Sequence, residues 1–353
     1  MISTADEQAF DARGTDDRQP DGAPGPRSVD RFAHPHLGRT SLSIATSLVP
    51  FLVLWTAMYF SLSISYLITL ALAVPAAGFM VRTYILFHDC AHGSLFRWRR
   101  ANTWFGAALA LLFFTPFARW RHEHVGHHAT AGDLDRRGMG DVPTLTLAEY
   151  QAMSRRGRLG YRLFRNPLIM FGIGPIYSMI LQQRWAPPTT RPKIYESTWH
   201  TNIAIAFTVG FLCWLLGWQA FLLVEAPLVV IAGAAGLWLF YVQHQFQDVY
   251  WKHTEEWSYA DAALRGSSYL QLPKILQFFT GNIGLHHVHH LNPRVPNYYL
   301  QRAHDDVEVF RSVPKLSLWD GLKAVRFKLW DEATARLVTW GDVRRLRLAT
   351  ARV

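Results

Sequence analysis

The run TSLSIATSLVPFLVLWTAMYFSLSISYLITLALAVPAAGFMV, Thr40 to Val81, holds 42 residues without one Asp, Glu, Lys or Arg. A helix needs about 20 apolar residues to cross a bilayer. The run therefore reads as two spans, near 42–62 and 65–86, joined by a tight polar turn around Ser61–Ser65. No ordinary globular core needs an apolar stretch of this length. From Ser197 to Gln247 the pattern repeats, with Glu225 as the lone charge, and two more spans are expected near 200–219 and 221–243.

The rest of the composition agrees. The 353 residues are 50% hydrophobic and only 18% charged, against about a quarter charged in ordinary soluble domains. Two cysteines cannot build a disulfide framework. Residues 1–31 are rich in Asp, Gly and Pro and lack the apolar core of a signal peptide, so residues 1–38 are expected to form a disordered cytosolic tail. Neither short turn inside a pair carries Arg or Lys. By the positive-inside rule both pairs begin and end in the cytoplasm. Two shorter apolar runs, 101–118 and 167–183, are flanked by arginine at both ends (Arg100 and Arg119, Arg165 and Arg184). That suits helices lying in the interface.

Histidine occurs 16 times, and ten fall in three clusters: HDCAH from His88, HEHVGHH from His122 and HHVHH from His286. In a helix, residues three and four apart share a face. His88 and His92 have that spacing, as do His124, His127 and His128, and His286, His289 and His290. Each cluster turns two or three imidazoles to one side, which is what metal ligation needs. His122 and His287 lie off this register. The isolated His34, His36, His200 and His304 read as ordinary hydrogen-bonded core residues. Packing alone needs no repeated polar group at ligand spacing.

If one centre uses all three clusters, they lie on one membrane face. Run 101–118 separates the first cluster from the second, and a single crossing there would part them by about 30 Å of hydrocarbon. The expected architecture is therefore all-α: four spans in two hairpins, interfacial helices and a cytoplasmic cap holding a histidine-ligated di-metal centre. Six spans are the alternative. Eight imidazoles exceed what one ion takes, so two ions fit better, but imidazole suits Zn, Cu, Fe and Ni alike.

HDCAHGS, then HVGHH, then HHVHH followed by LNPRVPNY, resembles the three histidine boxes of the membrane fatty acid desaturase family, in order and in placement relative to the apolar pairs. The resemblance covers roughly 40–310 and is closest to acyl-lipid desaturases. It implies two irons, molecular oxygen as co-substrate, an acyl-lipid or acyl thioester substrate that acquires a cis double bond, and an external electron donor such as a ferredoxin or cytochrome b5-like protein. It also implies a ninth ligand at His244, in YVQHQF at the end of the fourth span. Asp89, Glu123 and Asn282 stand beside the boxes and are expected to orient imidazoles.

The segment HPHLG at 34–38 is not the haem motif of a fused cytochrome. Arginines outnumber lysines thirty to six, which hints at a GC-rich bacterial genome and hence a bacterial cytoplasmic membrane. The formal charge of +10 suits anionic headgroups or an acidic electron donor. No aromatic-basic platform accompanies it, so nucleic acid is not indicated. After the membrane domain, 39–310, the segment 311–353 is expected to be a cytosolic amphipathic helical segment, with Leu318, Leu322, Val325 and Leu329 on one stripe.

Two rival activities have discriminators. A hydroxylase or ketolase of an alkane, carotenoid or lipid would use the same centre, but alkane hydroxylases space the second box as HxxxHH, whereas His124 to His127 is three. A metal transporter would want ionisable residues along the spans, and only Glu225 and Arg82 qualify.

Overall fold

The computed structural model describes residues 26–187 and 190–350. Among the described residues, four helices are long and apolar enough to span: α1 (Leu37–Ser61), α2 (Tyr66–His92), and, after the shorter helices described next, two that form a second hairpin, Pro192–Leu216 and Trp218–His244. They match the expected spans to within three residues at the hairpin turns and run past them at the outer ends, and the excess matters. At 1.5 Å per residue the 27 residues of α2 run about 40 Å, about 10 Å beyond the hydrocarbon. That overhang carries His88 and His92 out of the lipid. The turn expected at Ser61–Ser65 is there: Ser65 caps α2 by accepting from the Leu67 amide, and the Ser61 and Thr69 hydroxyls share a 2.7 Å hydrogen bond.

Run 101–118 does not make one straight helix. α3 (Arg99–Leu112) and α4 (Phe117–Thr130) meet at 106°. Each has 14 residues, about 21 Å, too short to cross. Three features make the bend. Phe114 takes a positive φ of 49°, Pro116 cannot donate to a continuing helix, and the Arg184 guanidinium donates to the freed Phe114 carbonyl. Gly106 lets α3 approach the Phe117 ring more closely than any Cβ would allow. α4 thus turns back beneath the end of α2, bringing the second box to the first.

The chain continues through α5 (Leu147–Ala152) and α6 (Arg155–Phe164), then through the π-helical turns Ile169–Ile173 and Tyr177–Leu181 within the expected run 167–183. The second hairpin is α7 (Pro192–Leu216) and α8 (Trp218–His244). Half of the α2 window is buried, against none of the α7 window. α2 and α8 are therefore inner helices, packed on each other through residues such as Ala76, Met80, Val224 and Leu228. They are also the spans that end in histidine.

A cap follows: α9 (Tyr259–Arg265), β1 (Tyr269–Gln271), α10 (Lys274–Phe279), α11 (His286–Leu291) and α12 (Leu300–Asp306). β1 pairs in parallel with β2 (Lys315–Ser317). α13 (Leu318–Ala324), the antiparallel strands β3 (Phe327–Asp331) and β4 (Arg336–Thr339), and α14 (Trp340–Thr350) complete the described residues.

Three expectations need correction. The tail expected over 1–38 is ordered from Pro26. Residues Pro26–Phe32 form a 3-10 helix whose Val29 and Phe32 are buried against Leu291, Val295 and Phe310. Val29 and Phe32 are the apolar anchors in an otherwise polar stretch; residues 1–25 of the expected tail lie outside the described residues. The stripe Leu318–Leu329 is not one helix. α13 buries Gly321 and Ala324 and leaves Leu322 exposed, while Leu329 and Trp330 are buried in β3. Segment 311–353 therefore holds a hairpin as well as helices. Leu329 satisfies a helical and a strand period equally, and contacts to Tyr150 and Tyr161 decide for the strand. Finally, His34, His36 and His200 are exposed rather than core. His36 caps α1, its Nδ1 accepting from the Arg39 amide.

Candidate metal centre

The three boxes meet where α2, α4, α8 and α11 converge. Nine imidazoles gather in two groups. His88, His92, His124, His128 and His289 form one; His127, His244, His286 and His290 form the other. Within each group the ligand atoms lie within 4.8 Å of one another. The groups abut, with the His128 ring stacked on His290 at 4.1 Å. All nine imidazoles singled out from the sequence, His244 included, are brought together. The second box is divided, His124 and His128 facing one group and His127 the other, since one helix step turns a side chain by about 100°.

The convergence is close. His127 Nε2 is 3.1 Å from His244 Nε2, which is 2.9 Å from His286 Nε2. His128 Nε2 is 2.9 Å from His289 Nε2 and 3.3 Å from His124 Nε2. Burial, together with the neighbouring imidazoles, holds the pKa of His124, His128, His286, His289 and His290 well below that of a free imidazole. These rings are neutral at physiological pH, which is the ligating form.

The residues fit a metal. His88 Nδ1, His92 Nε2, His128 Nδ1, His286 Nδ1 and His290 Nε2 are buried without a hydrogen-bond partner, an arrangement that native interiors avoid unless another group satisfies it. The donor set is nitrogen alone, which suits a transition metal and not calcium or magnesium. Aromatic rings close the first group from lipid: Trp120 stacks on His124 at 4.5 Å, and Phe87 packs on Trp120 at 5.0 Å. Phe240 lies 5.2 Å from His127 in the second.

His287, off the ligand register, is fully buried on the opposite side of α11, where its Nε2 is 2.9 Å from His304 Nδ1. His122 joins neither group.

The three residues expected to orient imidazoles do something else. The Asp89 carboxylate accepts from the Asn297 amide at 2.9 Å and side chain at 2.8 Å, and its nearest approach to His88 Nδ1 is 3.6 Å. Glu123 accepts from Arg119 at 2.9 Å and Gln183 at 3.3 Å. Asn282 sits at a positive φ of 62° and donates to the Asn297 carbonyl. All three tie down neighbouring segments. The sequence reading missed Asp141, whose Oδ1 is 2.5 Å from His127 Nδ1, and the Gly266 carbonyl, 3.1 Å from His244 Nδ1. The only signal was a lone acid in the glycine-rich GMGDVP that follows the second box.

The ionisable residues inside the spans form no path. Glu225 accepts from the Trp55 indole at 2.6 Å, and Arg82 donates to the Phe278 carbonyl.

Four apolar helices carrying a buried, all-histidine double cluster at one end define a membrane metalloenzyme. The family model for fatty acid desaturases matches residues 62–317. A fatty acid desaturase of Bacillus subtilis (strain 168) is 46% identical over 320 residues, covering 91% of each chain. A chloroplastic omega-6 fatty acid desaturase of Arabidopsis thaliana is 25% identical, over 72% of this chain and 56% of its own length. An sn-1 acyl-lipid omega-3 desaturase (ferredoxin) of Synechocystis sp. is 25% identical, over 64% of this chain and 63% of its own. The chain belongs to the fatty acid desaturase family and is a membrane-embedded oxidoreductase. These matches support desaturation and give no support to the hydroxylase or ketolase reading.

Proposed function

We propose that the nine imidazoles hold two iron ions, five donors on one and four on the other, and that the chain introduces a cis double bond into an acyl chain carried on a membrane lipid. The carrying observation is the convergence of nine imidazoles in two adjoining groups at the end of the spans. The acyl-lipid substrate is favoured over a thioester by the activity for which the Synechocystis relative is named. That relative's ferredoxin also supports a separate small electron-carrier protein as donor. Arginine and lysine outside the hairpin turns support a metal centre on the cytoplasmic face of a bacterial membrane.

When bound, two irons and dioxygen supply the oxidising power to remove two hydrogens from adjacent unactivated methylenes. The chain's own residues do the positioning. α2 and α8 hold imidazoles just beyond the hydrocarbon, within reach of an acyl chain rising from the bilayer. The Tyr84, Phe87, Phe113, Phe117 and Trp120 rings form an edge-to-face block beside the five-histidine group, excluding water from that side.

The test is expression of the chain in a bacterium lacking desaturases, with gas chromatography of its lipids. A new unsaturated acyl chain is expected, lost when His88, His92, His124, His127, His128, His244, His286, His289 or His290 becomes Ala. Unchanged lipids, or a hydroxylated product, would overturn the reading.

A further inference from the structure

One carboxylate hydrogen-bonds a cluster imidazole among the described residues, and it serves only one cluster. Asp141 Oδ1 lies 2.5 Å from His127 Nδ1, and its Oδ2 accepts from the Gly138 amide at 3.3 Å. A carboxylate can only accept when ionised, so the proton of His127 sits on Nδ1. That leaves the Nε2 lone pair facing His244 Nε2, 3.1 Å away.

The loop is built to put the carboxylate there. Gly140 has φ +71°, and a Cβ on it would stand 2.8 Å from the Glu123 carbonyl oxygen and 3.1 Å from His127 Cβ. Glycine alone lets the loop lie flat on α4. Arg137 then donates to the Leu134 and Thr144 carbonyls, and Arg165 to the Pro143 carbonyl, bracketing Asp141 on both sides. Asp141 forms part of the wall of a 260 Å³ cavity that reaches His127 and His244.

Among the described residues the five-histidine group has no equivalent. Its nearest acid, Asp89, is 3.6 Å from His88 Nδ1 and is engaged by Asn297. We propose that Asp141 is a positioning residue for the four-histidine cluster alone, fixing the tautomer and orientation of His127, so that the two metal sites differ in what holds their ligands. The inference rests on the reading that each cluster holds an ion. Partners that orient a metal-bound histidine are worth about 10–100-fold in metal affinity. Asp141→Ala should weaken one site by about that factor and leave the other unchanged. Asp141→Asn, which keeps an accepting oxygen, should fall between.

The experiment is anaerobic titration of the chelator-stripped, full-length protein in detergent with Co2+, followed by visible absorption and elemental analysis. Helical circular dichroism on heating is compared in parallel. Two tight equivalents in the wild type, and one tight with one weakened in Asp141→Ala at an unchanged melting curve, would support the inference. Wild-type-like titration of Asp141→Ala overturns it. So does equal weakening of both sites, or a lowered melting curve in both variants, which would make Asp141 a residue of general stability. Fewer than two equivalents in the wild type would instead remove the two-ion reading itself.

Discussion

His287 and His286 are chain neighbours with opposite assignments, and replacing each with glutamine separates ligation from packing. His287 is fully buried, with its Nε2 2.9 Å from His304 Nδ1 and its ring 5.0 Å from Phe310. Glutamine retains a donor and an acceptor but no ring. The loss is at most one hydrogen bond, about 0.5–1.5 kcal/mol, plus an aromatic contact of similar size, about 0.5–1.5 kcal/mol. His287→Gln should therefore destabilise the fold by about 1–3 kcal/mol and keep its full metal content. His286 Nε2 lies 2.9 Å from His244 Nε2 inside the four-histidine group. His286→Gln removes a nitrogen donor there and should strip that cluster while the other stays loaded. The assay is iron per chain after purification in detergent, alongside the denaturation midpoint. Equal iron loss in the two variants would refute the reasoning, because it would mean that α11 does not present 286 and 287 to opposite sides.

Three further outcomes are expected. Arg165 is fully buried, and its guanidinium donates to Pro143, Thr144, Tyr241, Gln245 and Phe327. Arg165→Met leaves several acceptors unsatisfied, at about 1–3 kcal/mol each, and should lower the thermal midpoint while releasing the β3–β4 hairpin to protease. Lys328 is held down to about 8 from 10.5, first by burial and then by the charge of Arg165. Between those values the unfolded chain binds the extra proton, so stability should rise with pH across that window and lie flat and lower beneath it. A Lys328→Met variant should lack that rise in melts collected through the window. With Cys213 replaced by Ser, a cysteine at Ser63 should react with an impermeant reagent from outside, and one at Arg302 only after permeabilisation. Labelling of Arg302→Cys in intact cells would reverse the orientation.

Much of this protein was legible from local chemistry. Two apolar runs, one without a charge and one with Glu225 alone, are too long for a soluble core and determined the two hairpins, since lipid demands internally bonded helices of fixed length. The spacing of the histidines placed them on shared helix faces, and parity placed run 101–118 to one side of the bilayer. His244 came from the family resemblance, because one histidine at the end of a span carries no periodic signal. What the sequence did not determine was everything set by contacts between distant segments. The division of the nine imidazoles into five and four depends on how α4 rolls against α2 and α8, so neighbouring His127 and His128 part company. Leu329 fits both periods, and only packing against Tyr150 and Tyr161 makes it a strand residue. Asp89 and Glu123 sat beside the boxes in sequence, yet Asn297 and Arg119 claim them. Asp141, fourteen residues after His127, reaches it because a glycine loop folds back onto α4. Helix period and hydrophobic length are properties of the nearby chain; which carboxylate meets which imidazole is decided by tertiary approach, and local sequence carries no record of it.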